Sequence, residues 1–204
     1  MTLPRLIAVV RGDTADECRV LIRGLIAAGI EGVEITMTIP GGVALIEEFA
    51  SLDVVVGAGT VLDARTAADC VAAGARFVVS PVSDGDAARV VHDAARPYVG
   101  GALTPTEILE SLRIGCDAVK IFPIGSVGGP GYLRTVREPF PELRAVVSGG
   151  VVPTDVAEYR RAGAASICMG GALLDRDAGR RGDVEAVTAK AAAVLSQIEE
   201  ARSA

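Results

Sequence analysis

Lysine is rare in this sequence of 204 residues, and one of its two lysines lies where a charged side chain is costly. Lys120 lies in the apolar segment 118–122 (AVKIF), whereas Lys190 belongs to a predicted amphipathic helix near the end of the chain. Burial of an ammonium group among apolar side chains favours the neutral, nucleophilic amine. In this form a lysine attacks a carbonyl and forms a Schiff base. The alternative is a structural ion pair with a buried carboxylate.

A second candidate group is the carboxylate of Glu34. It lies between Val33 and Ile35 in an apolar segment, so the two-residue period of a strand turns it away from them and onto the face of Thr36 and Thr38. If the valine and isoleucine pack against helices, the carboxylate points inward. Near a lysine it can act as a general acid and base. A purely structural glutamate is the alternative.

Several glycines precede or follow apolar segments. Gly149-Gly150 and Gly170-Gly171 can present backbone N–H groups to a phosphate, or they can relieve crowding where strands become loops. Gly57 and Gly59 do not form a dinucleotide-binding fingerprint, and we expect them to let the chain pass close to a substrate.

Metal sites and a histidine-based triad are not predicted. His92 is the single histidine, and we expect it to lie on the surface of a helix. No CxxC pair occurs among the four cysteines, which we expect to be buried and reduced. The sequence therefore predicts an activity without a metal or cofactor. The cysteines are Cys18, Cys70, Cys116 and Cys168.

Composition indicates one folded domain covering residues 1–204. Half of the residues are hydrophobic and only 3% are aromatic, so the core is built from aliphatic side chains, and disorder is excluded. The net charge of −6 argues against nucleic acid as a partner. No apolar segment reaches the ~20 residues that a membrane span needs, and no signal peptide is recognisable, so we expect a cytoplasmic protein.

Eight apolar segments, rich in β-branched residues, recur at intervals of roughly 25 residues, and continuous apolarity of this kind is typical of parallel strands buried on both faces. Helical segments that end at glycine lie between many of them. This alternation predicts a single (β/α)8 barrel, with an open doubly wound sheet as the alternative. The predicted strands are 6–11, 33–37, 54–56, 77–80, 98–102, 118–122, 145–148 and 166–169. The predicted helices are 14–28, 63–73, 84–95, 104–114, 155–162 and 184–202.

In such a barrel the functional groups lie at the carboxyl ends of the strands. Six motifs at or near these ends resemble, in order and spacing, those of the class I 2-keto-3-deoxy-6-phosphogluconate (KDPG) aldolases and the related 4-hydroxy-2-oxoglutarate (KHG) aldolases. The similarity extends over essentially the whole chain. The motifs are VEIT at 33–36, GAGTV at 57–61, SP at 80–81, TPTE at 104–107, KIFP at 120–123 and SGGV at 148–151.

This resemblance implies that Lys120 forms an imine with a 2-oxo acid and that Glu34 moves protons. The substrate would be cleaved to pyruvate and an aldehyde, either glyceraldehyde 3-phosphate or glyoxylate. The resemblance also implies a homotrimer. It further assigns the pyruvate carboxylate to Arg11 and Thr60, the walls of the site to Pro81 and Phe122, and the substrate phosphate to Ser148, Gly149, Gly150, Gly170 and Gly171.

Two departures from the family pattern concern the phosphate. The residues before the glycines after strand seven are Val147-Ser148 instead of proline-threonine, and Gly171 stands where a serine is common. Two other functions stay open from the residues alone. One is an isomerase or epimerase that uses Glu34 as a base without covalent chemistry, and the other is a catalytically silent barrel that binds an oxo acid.

Overall fold

Eight parallel strands form a closed barrel in the computed structural model, which describes residues 3–203. Each strand pairs with its neighbour in chain order, and β8 pairs with β1. The prediction of a (β/α)8 barrel is therefore confirmed. The strands are β1 (Leu6–Val10), β2 (Gly32–Thr36), β3 (Val55–Gly59), β4 (Val78–Val79), β5 (Tyr98–Ala102), β6 (Ala118–Ile121), β7 (Ala145–Val147) and β8 (Ala164–Met169).

The helices that alternate with these strands pack around the outside of the barrel. The described residues contain α1 (Ala15–Ala27), α2 (Gly42–Phe49), α3 (Ala64–Ala72), α4 (Gly85–Asp93), α5 (Pro105–Arg113), α6 (Gly129–Arg137), α7 (Val156–Arg161), α8 (Arg176–Arg181) and α9 (Val184–Ser203). The sequence predicted six of these helices and missed α2, α6 and α8. The first two begin at glycines without a side-chain cap, and the third is only six residues long.

Side-chain caps explain why the predicted helix starts are accurate. Asp63, Asp84 and Thr104 each accept a hydrogen bond from the backbone N–H three residues later. Thr104 and Glu107 form a complete capping box. Such caps satisfy N–H groups that a helix leaves unpaired at its start, so they mark the start in the sequence.

The third strand differs most from its prediction. It covers Val55–Gly59 instead of 54–56, because Gly57 and Gly59 continue the strand instead of ending it. A Cβ atom at Gly57 would overlap the ring of Phe77 inside the barrel, and one at Gly59 would overlap the Glu34 carboxylate. These glycines therefore make room for two protein side chains, where the sequence reading expected close approach to a substrate.

Alternation along each strand separates the two cores of the molecule. Val33, Ile35, Val119 and Ile121 pack outward in the large cluster that lies between strands and helices. Ala118 belongs instead to the cluster that fills the barrel interior, together with Leu3, Ile7, Phe77, Val79, Val99, Val146 and Cys168. Since successive side chains of a strand point to opposite faces, the residues between the outward-facing ones point into the barrel.

No helix among residues 3–203 is long and apolar enough to cross a membrane.

Replacement of Gly57 tests whether this glycine is needed to make room for the Phe77 ring. We expect Gly57→Ala to lower the free energy of unfolding by about 1–3 kcal/mol, because the added methyl group forces the buried Phe77 ring out of its position. Urea denaturation monitored by circular dichroism measures this change. Gly85→Ala is the control, since its Cβ would lie 3.9 Å from the nearest atom, on Ile114, and alanine favours the helix. Equal free energies of unfolding for the two variants would show that a methyl group at position 57 does not disturb the Phe77 ring.

Candidate active site

The central feature of the site is a lysine and a glutamate that meet inside the barrel. Lys120 lies on β6 and Glu34 on β2, which are separated by three strands in either direction and so face each other. The Lys120 Nζ lies 3.5 Å from the Glu34 Oε1. The lysine side chain is 7% exposed and the glutamate side chain is fully buried. The structure thus brings together the two residues that the sequence ranked first.

The surroundings of Glu34 leave one carboxylate oxygen available. Its Oε2 accepts a hydrogen bond from the Cys168 thiol, with a sulfur–oxygen distance of 3.7 Å. Burial raises the pKa of this thiol, and the neighbouring carboxylate raises it further, so Cys168 remains a neutral donor. The Oε1 atom is buried and accepts no hydrogen bond from the described residues. This oxygen, which faces the lysine, is free to take or give a proton.

The outer end of β2 is tied to the neighbouring strand. Thr36 is buried and donates a hydrogen bond from its Oγ1 to the Val10 carbonyl, 3.0 Å away. The Thr36 and Thr38 hydroxyls are also 3.0 Å apart. These contacts hold the strand that carries Glu34 against β1, just before Arg11.

An aromatic ring covers the amine from the mouth of the barrel. The Lys120 Nζ lies 5.5 Å from the centre of the Phe122 ring, which is a cation–π distance. A Cβ atom at Gly149 would come within 2.9 Å of this ring, and Gly149 has a φ of +84°, so only glycine suits this position. The first glycine pair therefore allows close packing beside the lysine.

A cavity of about 640 Å³ opens at the carboxyl ends of β1, β7 and β8. Two arginines, Arg11 and Arg176, line it, and no acidic side chain does. Cys168, whose thiol donates a hydrogen bond to Glu34, also lines this cavity, whereas Lys120 and Glu34 do not. Six of the residues expected to bind substrate line it, namely Arg11, Ser148, Gly149, Gly150, Gly170 and Gly171.

The other three predicted binding residues lie elsewhere around the mouth. Pro81 and Phe122 line a separate cavity of about 250 Å³ between the ends of β4, β5 and β6. Thr60 follows β3, lines neither cavity, and has a φ of +56°, which is unusual for threonine. Backbone strain of this kind persists only where the surrounding structure enforces it.

Arg176 lines the large cavity but was not predicted from the sequence. It is one of many arginines, and no motif marks it; its partners lie at the opposite end of the chain, with Glu17 159 positions away. The signal that could have revealed it is Glu17, an acidic residue on the buried side of α1 that requires a positively charged partner.

The remaining reactive side chains do not form a site. His92 lies on the surface, with its Nε2 2.8 Å from Asp117 Oδ2. All four cysteines are free. Across the described range 3–203, no three histidine, cysteine, aspartate or glutamate side chains are arranged to hold a metal ion.

Comparison with known proteins identifies the family of this chain. The family model for KDPG and KHG aldolases matches residues 1–190. The chain belongs to this aldolase family. The 2-dehydro-3-deoxy-phosphogluconate aldolase of Pseudomonas aeruginosa is 33% identical over 88% of this chain and 82% of its own length. A native KDPGal structure is 30% identical, with a TM-score of 0.85 over 100% of this chain and 98% of the other.

A further solved aldolase bears on the chemistry. The KDPG aldolase of Legionella pneumophila, with pyruvate captured as a covalent carbinolamine intermediate, is 26% identical to this aldolase, with a TM-score of 0.83 over 93% of each chain. A carbinolamine is the adduct of an amine and a carbonyl, so a solved relative carries out the covalent step that Lys120 suggests.

The contact between Gly59 and Glu34 provides a test of the site. We expect Gly59→Ala to lower kcat for pyruvate release by about 10²-fold, because the added Cβ displaces the carboxylate from the lysine. Circular dichroism checks that the barrel is retained. Gly85→Ala, far from the site, is the matched control and should retain full activity. Unchanged turnover in Gly59→Ala would mean that the position of Glu34 is unimportant.

Proposed function

We propose that this aldolase cleaves a 2-oxo-3-deoxy acid to pyruvate and an aldehyde, with Lys120 as the Schiff-base residue and Glu34 as the proton-transfer residue. The observation that carries this proposal is the 3.5 Å separation of Lys120 Nζ and Glu34 Oε1 inside the barrel. An amine and a carboxylate held this close, away from bulk water, are the two groups that imine chemistry requires.

The reaction begins when Lys120 passes its ammonium proton to Glu34, and the neutral amine attacks C2 of the substrate and gives a carbinolamine. Loss of water then forms the iminium ion, with its proton transfers through Glu34 and a water molecule. Glu34 also accepts the proton of the C4 hydroxyl. The C3–C4 bond breaks, its electron pair moves into the iminium to form an enamine, and the aldehyde leaves. Protonation of C3 and hydrolysis release pyruvate and restore the amine.

The iminium nitrogen is the electron sink of this mechanism, so the chain's own residues supply the chemistry. Arg11 and Thr60 are proposed to hold the carboxylate next to C2, and Pro81 and Phe122 to form the walls. The backbone N–H groups near the two glycine pairs are proposed to bind the phosphate of 2-dehydro-3-deoxy-6-phosphogluconate. With 4-hydroxy-2-oxoglutarate the aldehyde would be glyoxylate.

For assembly we propose a homotrimer, as the family resemblance implies. Val82 and Phe122 are large apolar side chains that are 48% and 39% exposed beside the cavity of about 250 Å³. Adjacent exposed apolar side chains of this kind are common at protein contacts. We also propose the cytoplasm as the compartment, since four free cysteines suit a reducing environment.

Borohydride trapping tests the covalent step. Reduction in the presence of pyruvate should attach one reduced pyruvate unit to the peptide that contains Lys120, as determined by mass spectrometry. Lys120→Met should lose both the adduct and all turnover, because the imine can no longer form. Lys190→Met is the matched control and should keep both. An absent adduct, or an adduct on another residue, would overturn the proposal.

Replacement of the carboxylate separates proton transfer from imine formation. We expect Glu34→Gln to lower kcat by about 10²–10⁴-fold, since the amide keeps the shape but cannot exchange protons. Pyruvate trapping at Lys120 should become slower and still reach completion. Glu31→Gln, an exposed residue just before β2, is the control. Isomerisation of a sugar phosphate in the wild type, without pyruvate release, would instead support an isomerase.

A further inference from the structure

Arg176 is the second positive group of the large cavity and has no part in the mechanism above. It begins α8, just beyond the Gly170-Gly171 pair, and lines the cavity of about 640 Å³ together with Arg11. Its side chain is 38% exposed, so the guanidinium is accessible to a ligand. Arg176 therefore lies next to the glycine pair that is proposed to bind the phosphate at the distal end of the substrate.

The guanidinium is held in one orientation by two acidic residues of the β1–α1 region. Its Nε donates to Glu17 Oε1 at 2.9 Å, and its Nη2 lies 2.9 Å from Asp13 Oδ2. The hydrogen bonds that Arg176 donates to residues between 3 and 203 come from Nε and Nη2, and Nη1 donates none of them. The two N–H groups of Nη1 therefore remain for a ligand, whereas Nε and Nη2 are engaged by the carboxylates.

Glu17 is unusual because a carboxylate is buried in order to hold a partly exposed arginine. Its side chain is 2% exposed. Burial raises the pKa of this carboxyl, but hydrogen bonds from Arg176 and from the Asp13 N–H outweigh burial and lower the pKa below its usual value. Glu17 is therefore ionised at neutral pH. An ion pair with a partly exposed arginine adds little to the stability of the fold. We therefore infer that the main effect of Glu17 is to fix the orientation of the Arg176 guanidinium.

The cavity lining gives the chemical class of ligand. It contains two arginines and two glycine pairs but no acidic side chain, so it suits an anion. Ser148 is the one hydroxyl-bearing side chain among the described residues that line the cavity. A fixed arginine can add to this hydroxyl, because the N–H groups of its Nη1 can donate charge-assisted hydrogen bonds to a phosphate.

We propose that Arg176, positioned by Glu17, binds the distal phosphate of the substrate and determines the preference of this enzyme for phosphorylated over unphosphorylated 2-oxo acids. This inference rests on the proposed function, since it assigns the far end of the same substrate. Glu17 touches no substrate in this arrangement and is a positioning residue.

The test compares two substrates in matched variants of one helix. Arg176→Gln should lower kcat/KM for 2-dehydro-3-deoxy-6-phosphogluconate by about 10- to 100-fold, mainly through KM, because a charge-assisted hydrogen bond is lost. For 4-hydroxy-2-oxoglutarate the change should stay below about 3-fold, which is within the effect of an ordinary surface substitution. Arg176→Lys, which keeps the charge without the fork, should lie between the wild type and Arg176→Gln.

Arg180→Gln is the matched control. Arg180 belongs to the same helix and contacts Asp13, Glu17 and Asp177, but it does not line the cavity. Arg180→Gln should change kcat/KM only slightly, and by the same factor for both substrates. Glu17→Gln should raise KM for the phosphorylated substrate alone. Equal loss on both substrates in Arg176→Gln, no loss on either, or the same preference shift in Arg180→Gln would overturn the proposal.

Two measurements separate this inference from the proposed function. Borohydride trapping of pyruvate at Lys120 tests the proposed function and should be the same in Arg176→Gln as in the wild type. Absence of trapping in the wild type would disprove the proposed function but not the anion site, which the next measurement tests independently. Inorganic phosphate should raise the melting temperature of the wild type more than that of Arg176→Gln. Equal thermal shifts in the two proteins would overturn the anion site.

Discussion

The ion pair between Lys120 and Glu34 exists only because the barrel is closed. Three strands lie between β2 and β6 in either direction around the barrel, so an open sheet would leave the two residues far apart. Either charge alone would be costly in this interior, since desolvation of an unpaired ion costs several kcal/mol. At a separation of 3.5 Å, the attraction between the two groups offsets the cost of desolvating them. Removal of either group would leave its partner as an unpaired charge in an apolar environment. The whole sheet therefore serves to bring two side chains together.

Space inside the barrel is obtained by leaving out side chains on neighbouring strands. Gly57 makes room for the Phe77 ring below the pair, Gly59 for the Glu34 carboxylate, and Gly149 for the Phe122 ring above Lys120. The positions of these glycines follow from the shapes of large side chains on other strands. This explains why β3 is glycine-rich and still a strand, because its partners fill the volume that it leaves.

The sequence predicted those features that depend on local patterns. Alternation about Val33 and Ile35 placed Glu34 inside the barrel, and the apolar flanks of Lys120 marked it as buried. Capping residues located the starts of the main helices. Features that depend on distant partners were not predictable in this way. Residue 59 must be a glycine because the Glu34 side chain lies against it, and Arg176 is recognisable only beside Glu17, which is 159 positions away.

The same distinction separates chemistry from specificity in this molecule. Lys120 and Glu34 are set in strands, where a shift of register would turn both side chains outward, so their positions are fixed by the fold itself. Arg11, Arg176 and the glycine pairs follow strands and lie in loops or at a helix start, where a substitution alters the cavity without disturbing the sheet. Since Arg176 is held by Glu17 of α1 and by Asp13 just before it, the anion site proposed for the distal end of the substrate can change while Lys120 and Glu34 stay in place.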